Sequence, residues 1–210
     1  MINGLSKAFG NVILFDNASV EFVKSKVSFI MAPNGFGKTT LIKMIANILK
    51  VDEGEIKKSS SPMIIYDDLS LYPNLSGIEN IQLFTNFKFP KKVLIQKAKK
   101  YLSPALLKKK VRKYSLGEGK KLLYVLFEIL KPEIAIMDEF SNGLDYSAMR
   151  SFKEKINAQK LNRIFILTGH QFDFYRDIID ELYVIHEGKI KKVEDWQKVG
   201  IEDVYRQFYE

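Results

Sequence analysis

Cysteine is absent from the 210-residue sequence, which excludes disulfides and thiolate metal sites and suits a cytosolic protein. No apolar run approaches the roughly 18 residues that a membrane-spanning helix needs. The best candidate, Leu122 to Leu130, is short and carries Glu128. The N-terminus lacks the basic-then-apolar pattern of a signal peptide. A soluble, intracellular protein is the expectation, and 46% hydrophobic residues suffice for one core-bearing domain with a subdomain. Acids are scarce in one stretch. Between Lys88 and Lys121 thirteen Lys or Arg residues face the single acid Glu118, so that segment carries about +12 of the formal +8 and the remainder about −4. Such a patch reads either as a solvated helical face or as a surface for nucleic acid or an anionic membrane, and alone it decides neither.

Taken in order, Asn3 to Ala8 reads as a strand and Phe9-Gly10 as a turn. Alternation through Ala18, Val20 and Phe22, then Val27, Phe29 and Met31, predicts two more strands. Asp52-Glu53-Gly54 reads as a turn, and Met63 to Tyr66 as a short buried strand. From Asp67 to about Lys131 glycines thin out and the pattern becomes helical, with Ile78 to Phe87, Val93 to Leu102 and Leu122 to Leu130 as helices. Pro73, Pro90 and Pro104 punctuate them. Ile134 to Met137, Arg163 to Leu167 and Leu182 to Ile185 read as later strands, separated by helices at Tyr146 to Ala158 and Phe172 to Ile179. Strands alternating with helices predict an α/β fold with a largely parallel sheet and ligands at the carboxyl ends of the strands.

The organising stretch is Ala32-Pro33-Asn34-Gly35-Phe36-Gly37-Lys38-Thr39-Thr40. An apolar strand leads into it and an apolar-periodic run, Leu41 to Leu49, leaves it, which is the context a phosphate-binding P-loop requires. Gly35 and Gly37 let the backbone turn its N–H groups inward as an anion nest, and the following helix adds its positive end. Lys38 is then placed to reach the β- and γ-phosphates, and the Thr39 hydroxyl to hold Mg²⁺. Asp138 and Glu139 follow the strand Ile134 to Met137 directly. They read as a Mg²⁺-fixing carboxylate and a base for water, or as acids capping the next helix, for which Asp145 is the better cap. Phe9 is a core aromatic or a face for an adenine ring. His170, after Leu167-Thr168-Gly169, is a structural hydrogen-bonder or a member of the site. His186, beside Glu187-Gly188, is given no role.

Together these pieces resemble the nucleotide-binding subunit of ATP-binding-cassette (ABC) transporters over nearly the whole chain. In that family an aromatic near the N-terminus stacks on adenine, matching Phe9 in Ser6-Lys7-Ala8-Phe9-Gly10. The phosphate loop falls on Pro33 to Thr40, and the signature motif, usually Leu-Ser-Gly-Gly-Gln, on Tyr114-Ser115-Leu116-Gly117-Glu118. Asp138 and Glu139 match the Mg²⁺-binding aspartate and catalytic glutamate, Ser141 to Asp145 the D-loop, and His170 the switch histidine. The resemblance thus implies nucleotide contacts from Phe9, Asn34, Gly35, Phe36, Gly37, Lys38, Thr39, Thr40, Ser115, Gly117 and Glu118. It implies catalytic roles for Glu139, His170 and Lys38, and Mg²⁺ held by Thr39, Asp138 and Asp67. Three departures stand out: Ala32 replaces a glycine, Leu116 and Glu118 replace a signature glycine and glutamine, and the Q-loop glutamine falls on Asp67.

The resemblance further implies a P-loop NTPase core with an N-terminal antiparallel β edge, one ATP-binding domain over residues 1–210, and a helical subdomain inserted at about 68–132. Two such domains, as a homodimer or heterodimer, would sandwich two ATP molecules. Hydrolysis would drive a separate integral membrane subunit, with export as the expected direction and the cytoplasmic membrane face as the location. A soluble, non-transport ABC ATPase acting on nucleic acid or ribosomes is the alternative from another class; no nucleic-acid partner is expected. A hydrolysis-poor regulatory partner is a third reading, against which Lys38, Asp138, Glu139 and His170 argue.

Overall fold

A computed structural model describes residues 1–66, 71–142, 144 and 146–210, with Ser147 and Ala148 described by their backbone. Asp67, Gly143 and Asp145, singled out in the sequence, lie outside the described residues.

The strand that delivers the P-loop, β3 (Lys26–Met31), is buried at every position after Lys26, as a central parallel strand covered on both faces must be. It pairs in parallel with β7 (Ile164–Thr168) on one side and β8 (Glu181–His186) on the other. Beyond β7 lie β6 (Ile134–Met137) and β5 (Met63–Ile65), both parallel, while β9 (Lys189–Val193) closes the other edge antiparallel to β8. A second sheet is antiparallel throughout, with β1 (Ile2–Phe9) between β2 (Val12–Val20) and β4 (Glu53–Ile56). Mixed α/β architecture with a parallel sheet and an antiparallel N-terminal edge is therefore what the chain adopts.

Period-two alternation divides the core into two layers. Val27, Phe29, Met31, Ala135, Met137, Phe165 and Leu167 point to one side, where they meet helix α5 (Leu116–Leu130) and aromatic residues of α6 (Tyr146–Gln159) and α7 (Phe172–Tyr175). Ile30, Ile134, Ile136, Ile166 and Ile185 point to the other, against α1 (Lys38–Ile45) and the antiparallel sheet. Four helices stand between β5 and β6: α2 (Gly77–Phe84), α3 (Lys91–Ala98), α4 (Pro104–Lys108) and α5. Two more, α8 (Trp196–Val199) and α9 (Ile201–Tyr209), follow β9.

Several expected boundaries move. Asp52-Glu53-Gly54, expected as a turn, leads into β4, because Gly54 at φ +84 lies flat against the backbone of Asn3 and Gly4. A Cβ there would stand 2.3 Å from the Gly4 carbonyl oxygen. α2 stops at Phe84 rather than Phe87: the Thr85 hydroxyl donates back to the Ile81 carbonyl, and Asn86 and Phe87 take positive φ. Phe172 to Ile179, expected as one helix, is helical only to Tyr175 and continues as turns. In the other direction, α5 starts six residues before the expected Leu122, at the signature stretch. β9, α8 and α9 had no counterpart in the sequence reading.

Candidate nucleotide site

The phosphate loop joins β3 to α1 and depends on two left-handed glycines. Gly35 lies at φ +85 and Gly37 at φ +97, where an L side chain is strained. At Gly37 an added Cβ would also meet the Phe15 ring at 3.0 Å. Ala32 is buried and not among the positive-φ positions, so its methyl group is accommodated where the P-loop pattern has glycine. No side chain caps α1 and no acid sits in its first turn. The first N–H groups therefore remain available to an anion.

Lys38 begins that helix and is 6% exposed. Its ammonium donates to the carbonyls of Ala32 (2.7 Å) and Pro33 (3.1 Å), so it is folded across its own loop. Burial lowers its pKa from the ordinary lysine value, opposed by the charges of Glu139 and then Asp138. The Thr39 hydroxyl donates to Asp138 Oδ2 at 3.1 Å, and the Thr168 hydroxyl at the end of β7 donates to Asp138 Oδ1. The loop, β6 and β7 are thereby linked through one buried carboxylate.

Glu139 occupies a left-handed conformation at φ +51, uncommon for a residue with a side chain. Its N–H is held by both the hydroxyl and the carbonyl of Thr168, each at 3.2 Å. Such strain persists when surrounding structure over-determines it. Here it aims the carboxylate back at the loop: Oε1 lies 3.4 Å from His170 Nε2, and Oε2 accepts from the Asn142 amide at 3.0 Å. His170 Nε2 is also 3.0 Å from Asn34 Oδ1 in the phosphate loop. Asn34, Lys38, Thr39, Asp138, Glu139 and His170 thus converge, contributed by β3, α1, β6 and β7.

The remaining expected residues stand apart from this cluster. Phe9, at the end of β1, is 50% exposed, with the Lys7 ammonium 5.3 Å from its ring centroid. Phe36, 42% exposed at the loop tip, rests edge-on against Tyr209 of α9 at 5.6 Å. The Tyr209 hydroxyl in turn lies 3.0 Å from the Met31 carbonyl and 2.7 Å from that of Ile185. Ser115 is the N-cap of α5, in a capping box in which Glu118 N–H donates to Ser115 Oγ (3.2 Å) and Ser115 N–H donates to Glu118 Oε2 (2.8 Å). That backbone donor, followed by Lys109 at 3.4 Å, lowers the Glu118 pKa. Among the described residues no hydrogen bond or ion pair links Ser115, Gly117 or Glu118 to the phosphate loop.

Three residues at this centre were not anticipated. Thr168 and Asn142 fix Asp138 and Glu139 as described. Lys120, 1% exposed on α5, donates to the Phe140 carbonyl at 2.9 Å and to the Asn142 carbonyl, in the turn that follows Glu139. A signal existed for it: Lys120 falls at helical spacing on the face that buries Leu123, Tyr124 and Phe127.

Oxygen donors from Thr39 and Asp138, held together beside an uncapped helix start, fit a Mg²⁺–phosphate pair. Among the described residues no group of three His, Cys, Asp or Glu could hold a metal by itself. Mg²⁺ usually takes only one or two protein ligands together with phosphate oxygens and water, so the set suits that ion.

A parallel sheet ending in this loop and acid pair defines a P-loop ATPase core. The sequence matches the ABC transporter family over residues 15–142, more than half of the chain, and the chain belongs to that family. It is 28% identical over 206 residues to an uncharacterized ABC transporter ATP-binding protein, YdbJ, of Bacillus subtilis, covering 90% of this chain and 67% of that protein. To the lantibiotic transport ATP-binding protein SrtF of Streptococcus pyogenes it is 27% identical, covering 90% and 87%. To the bacitracin transport ATP-binding protein BcrA of Enterococcus faecalis it is 29% identical, covering 89% and 66%. In fold it is similar to CbiO1 of Clostridium perfringens, part of the transporter complex cbiONQ, with a TM-score of 0.76 at 19% identity, covering 98% and 92%. The chain is an ATP-binding subunit of the ABC type, an ATPase coupled to transport.

Proposed function

We propose that this chain hydrolyses ATP as one half of a two-protomer sandwich and drives export through a separate integral membrane subunit at the cytoplasmic membrane face. The observation that carries the reading is the convergence of Lys38, Thr39, Asp138, Glu139 and His170 at one end of the parallel sheet. In this reading Phe9 offers a face to adenine, and Asn34 to Thr40 wrap the phosphates. Lys38 exchanges its two loop carbonyls for phosphate oxygens. Thr39 and Asp138, with Asp67, would hold Mg²⁺, which would supply charge neutralisation at the transferred phosphate. Glu139 takes a proton from the attacking water, and His170, seated between Glu139 and Asn34, keeps that carboxylate and the loop in register.

Residues about 68–132 form the helical subdomain in this proposal, and the start of α5 at Ser115, Leu116 and Gly117 closes on the partner protomer's nucleotide. Leu116 and Phe36, each 42% exposed, are then the apolar faces that meet. Export is the proposed direction, and relatives named for lantibiotic and bacitracin transport support a peptide-class cargo. Among the described residues no helix is long and apolar enough to cross a membrane, which agrees with a separate membrane subunit.

The test uses the lack of cysteine. With Phe36→Cys, Leu116→Cys and Glu139→Gln combined, ATP should allow a covalent dimer under oxidation, which requires Cα atoms within about 7 Å. Single-cysteine controls should fail to form it. A dimer band independent of ATP, or its absence, overturns the sandwich; ATP-driven uptake in place of export in vesicles with the membrane subunit overturns the direction.

A further inference from the structure

A cavity of about 360 Å³ is lined by Phe140, the residue after Glu139, and among its described lining residues none belongs to the phosphate loop. Its walls are Lys100 and Tyr101 after α3, Lys121 and Tyr124 of α5, and Phe152 and Lys155 of α6. Lys120 lies at its floor, already engaged by the Phe140 and Asn142 carbonyls. Among the described lining residues none is an Asp or Glu. Lys100, Lys121 and Lys155 form no ion pair among the described residues.

Lys155 is the most constrained of these cations. Its ammonium lies 4.0 Å from the Tyr124 ring centroid and 4.4 Å from that of Tyr101. The two rings meet edge to face at 5.2 Å, which fixes the platform. Burial lowers the Lys155 pKa, opposed by the more distant charges of Glu128 and Glu154. Glu128 is itself taken by the Tyr124 hydroxyl and the Gln159 amide. Among the described residues no carboxylate lies within ion-pair distance of Lys155, and the two tyrosine rings hold its ammonium. Phe140 and Phe152, tilted at 33° with their centroids 4.3 Å apart, supply an apolar wall.

The geometry points to a second ligand site in this cleft, for a small phosphomonoester carrying a ring. The cavity falls within the roughly 300–1,000 Å³ range of small-molecule sites and combines an apolar wall with a few charged groups, as such sites do. The lysines take the phosphate, and the aromatic wall takes the ring. The cleft is too small for a duplex or a folded partner. An occupant would press on Lys120, the side chain that grips the turn after Glu139.

The experiment is a calorimetric titration of the full chain with phenyl phosphate, in a Lys38→Ala background that silences the phosphate loop. Saturable binding is expected, weakened at least tenfold by Lys121→Gln with Lys155→Gln. Both substitutions keep a polar side chain while removing its charge, and ATP binding by the same pair with Lys38 intact shows that the fold survives. Inorganic phosphate should bind at least tenfold more weakly than phenyl phosphate. Binding that needs Lys38 would return the ligand to the phosphate loop and overturn the proposal. Equal affinity in the lysine variants, or no saturable binding at all, would also overturn it.

Discussion

At the phosphate loop the polar side chains mostly bond across elements. Lys38 folds onto the Ala32 and Pro33 carbonyls of its own loop, but Thr39 bonds to Asp138 after β6, Thr168 of β7 to Asp138, and His170 to both Glu139 and Asn34. At the start of α5 the opposite holds: Ser115 and Glu118 satisfy each other within one helical turn, and Leu116 projects outward. An interlocked region resists rearrangement because every group has several anchors, while a self-capped helix end can be carried as a unit. The first half is held together within one chain. The second keeps its own structure whether or not anything stands opposite, which suits a surface that docks and separates in each cycle.

The strongest way to break this contrast is Lys38→Ala, which should abolish ATP binding because no other described lysine lies in the nest. Undiminished ATPase activity would remove the assignment. Glu139→Gln should retain ATP binding and slow turnover at least a hundredfold, about 2.7 kcal/mol of barrier. A two- or threefold loss would mean that another group activates the water.

Lys120→Met tests the tie between the two halves. It removes hydrogen bonds from a charged donor, each worth about 1.5–3 kcal/mol. Thermal unfolding should shift down, and kcat should fall while ATP affinity holds; an unchanged kcat would make Lys120 purely structural. Phe9→Ala should weaken ATP binding by about 1–3 kcal/mol if ring stacking here resembles that on nucleic-acid bases. Equal affinity by calorimetry would take Phe9 out of the site. Ser115→Ala should cost about 0.5–2 kcal/mol of stability through the lost cap. It should leave ATP affinity of the isolated protomer intact, because the self-capped half lacks a bond to the loop. A parallel loss of protomer affinity would erase the distinction.

The catalytic half was legible because its chemistry follows strand ends. β3, β6 and β7 are short apolar runs, and whatever follows such a run in a parallel sheet reaches the same edge. Lys120 was hidden among thirteen basic residues, since sequence does not show which lysine turns inward. The early start of α5 was masked by Gly117 and Gly119, poor helix formers that tertiary packing and the Ser115 cap override. β4 was missed because its pairing with β1 is long-range and its first residues, Glu53 and Gly54, follow Asp52 in a stretch that reads as a turn. α9 carried a signal that the expectations above passed over: Ile201, Val204, Tyr205 and Phe208 form an apolar stripe at helical spacing, and Ile201 and Val204 bury its inner face.

The carboxyl-terminal helix and the phosphate loop are mechanically one piece. Tyr209 and Met31, 178 residues apart in sequence, share a hydrogen bond, and the Tyr209 ring supports Phe36 at the loop tip. A purification tag or a binding protein that pulls on α9 therefore pulls on the loop. Nucleotide affinities measured with such an attachment would report its leverage together with the site's own chemistry, and moving the tag to the N-terminus would separate the two.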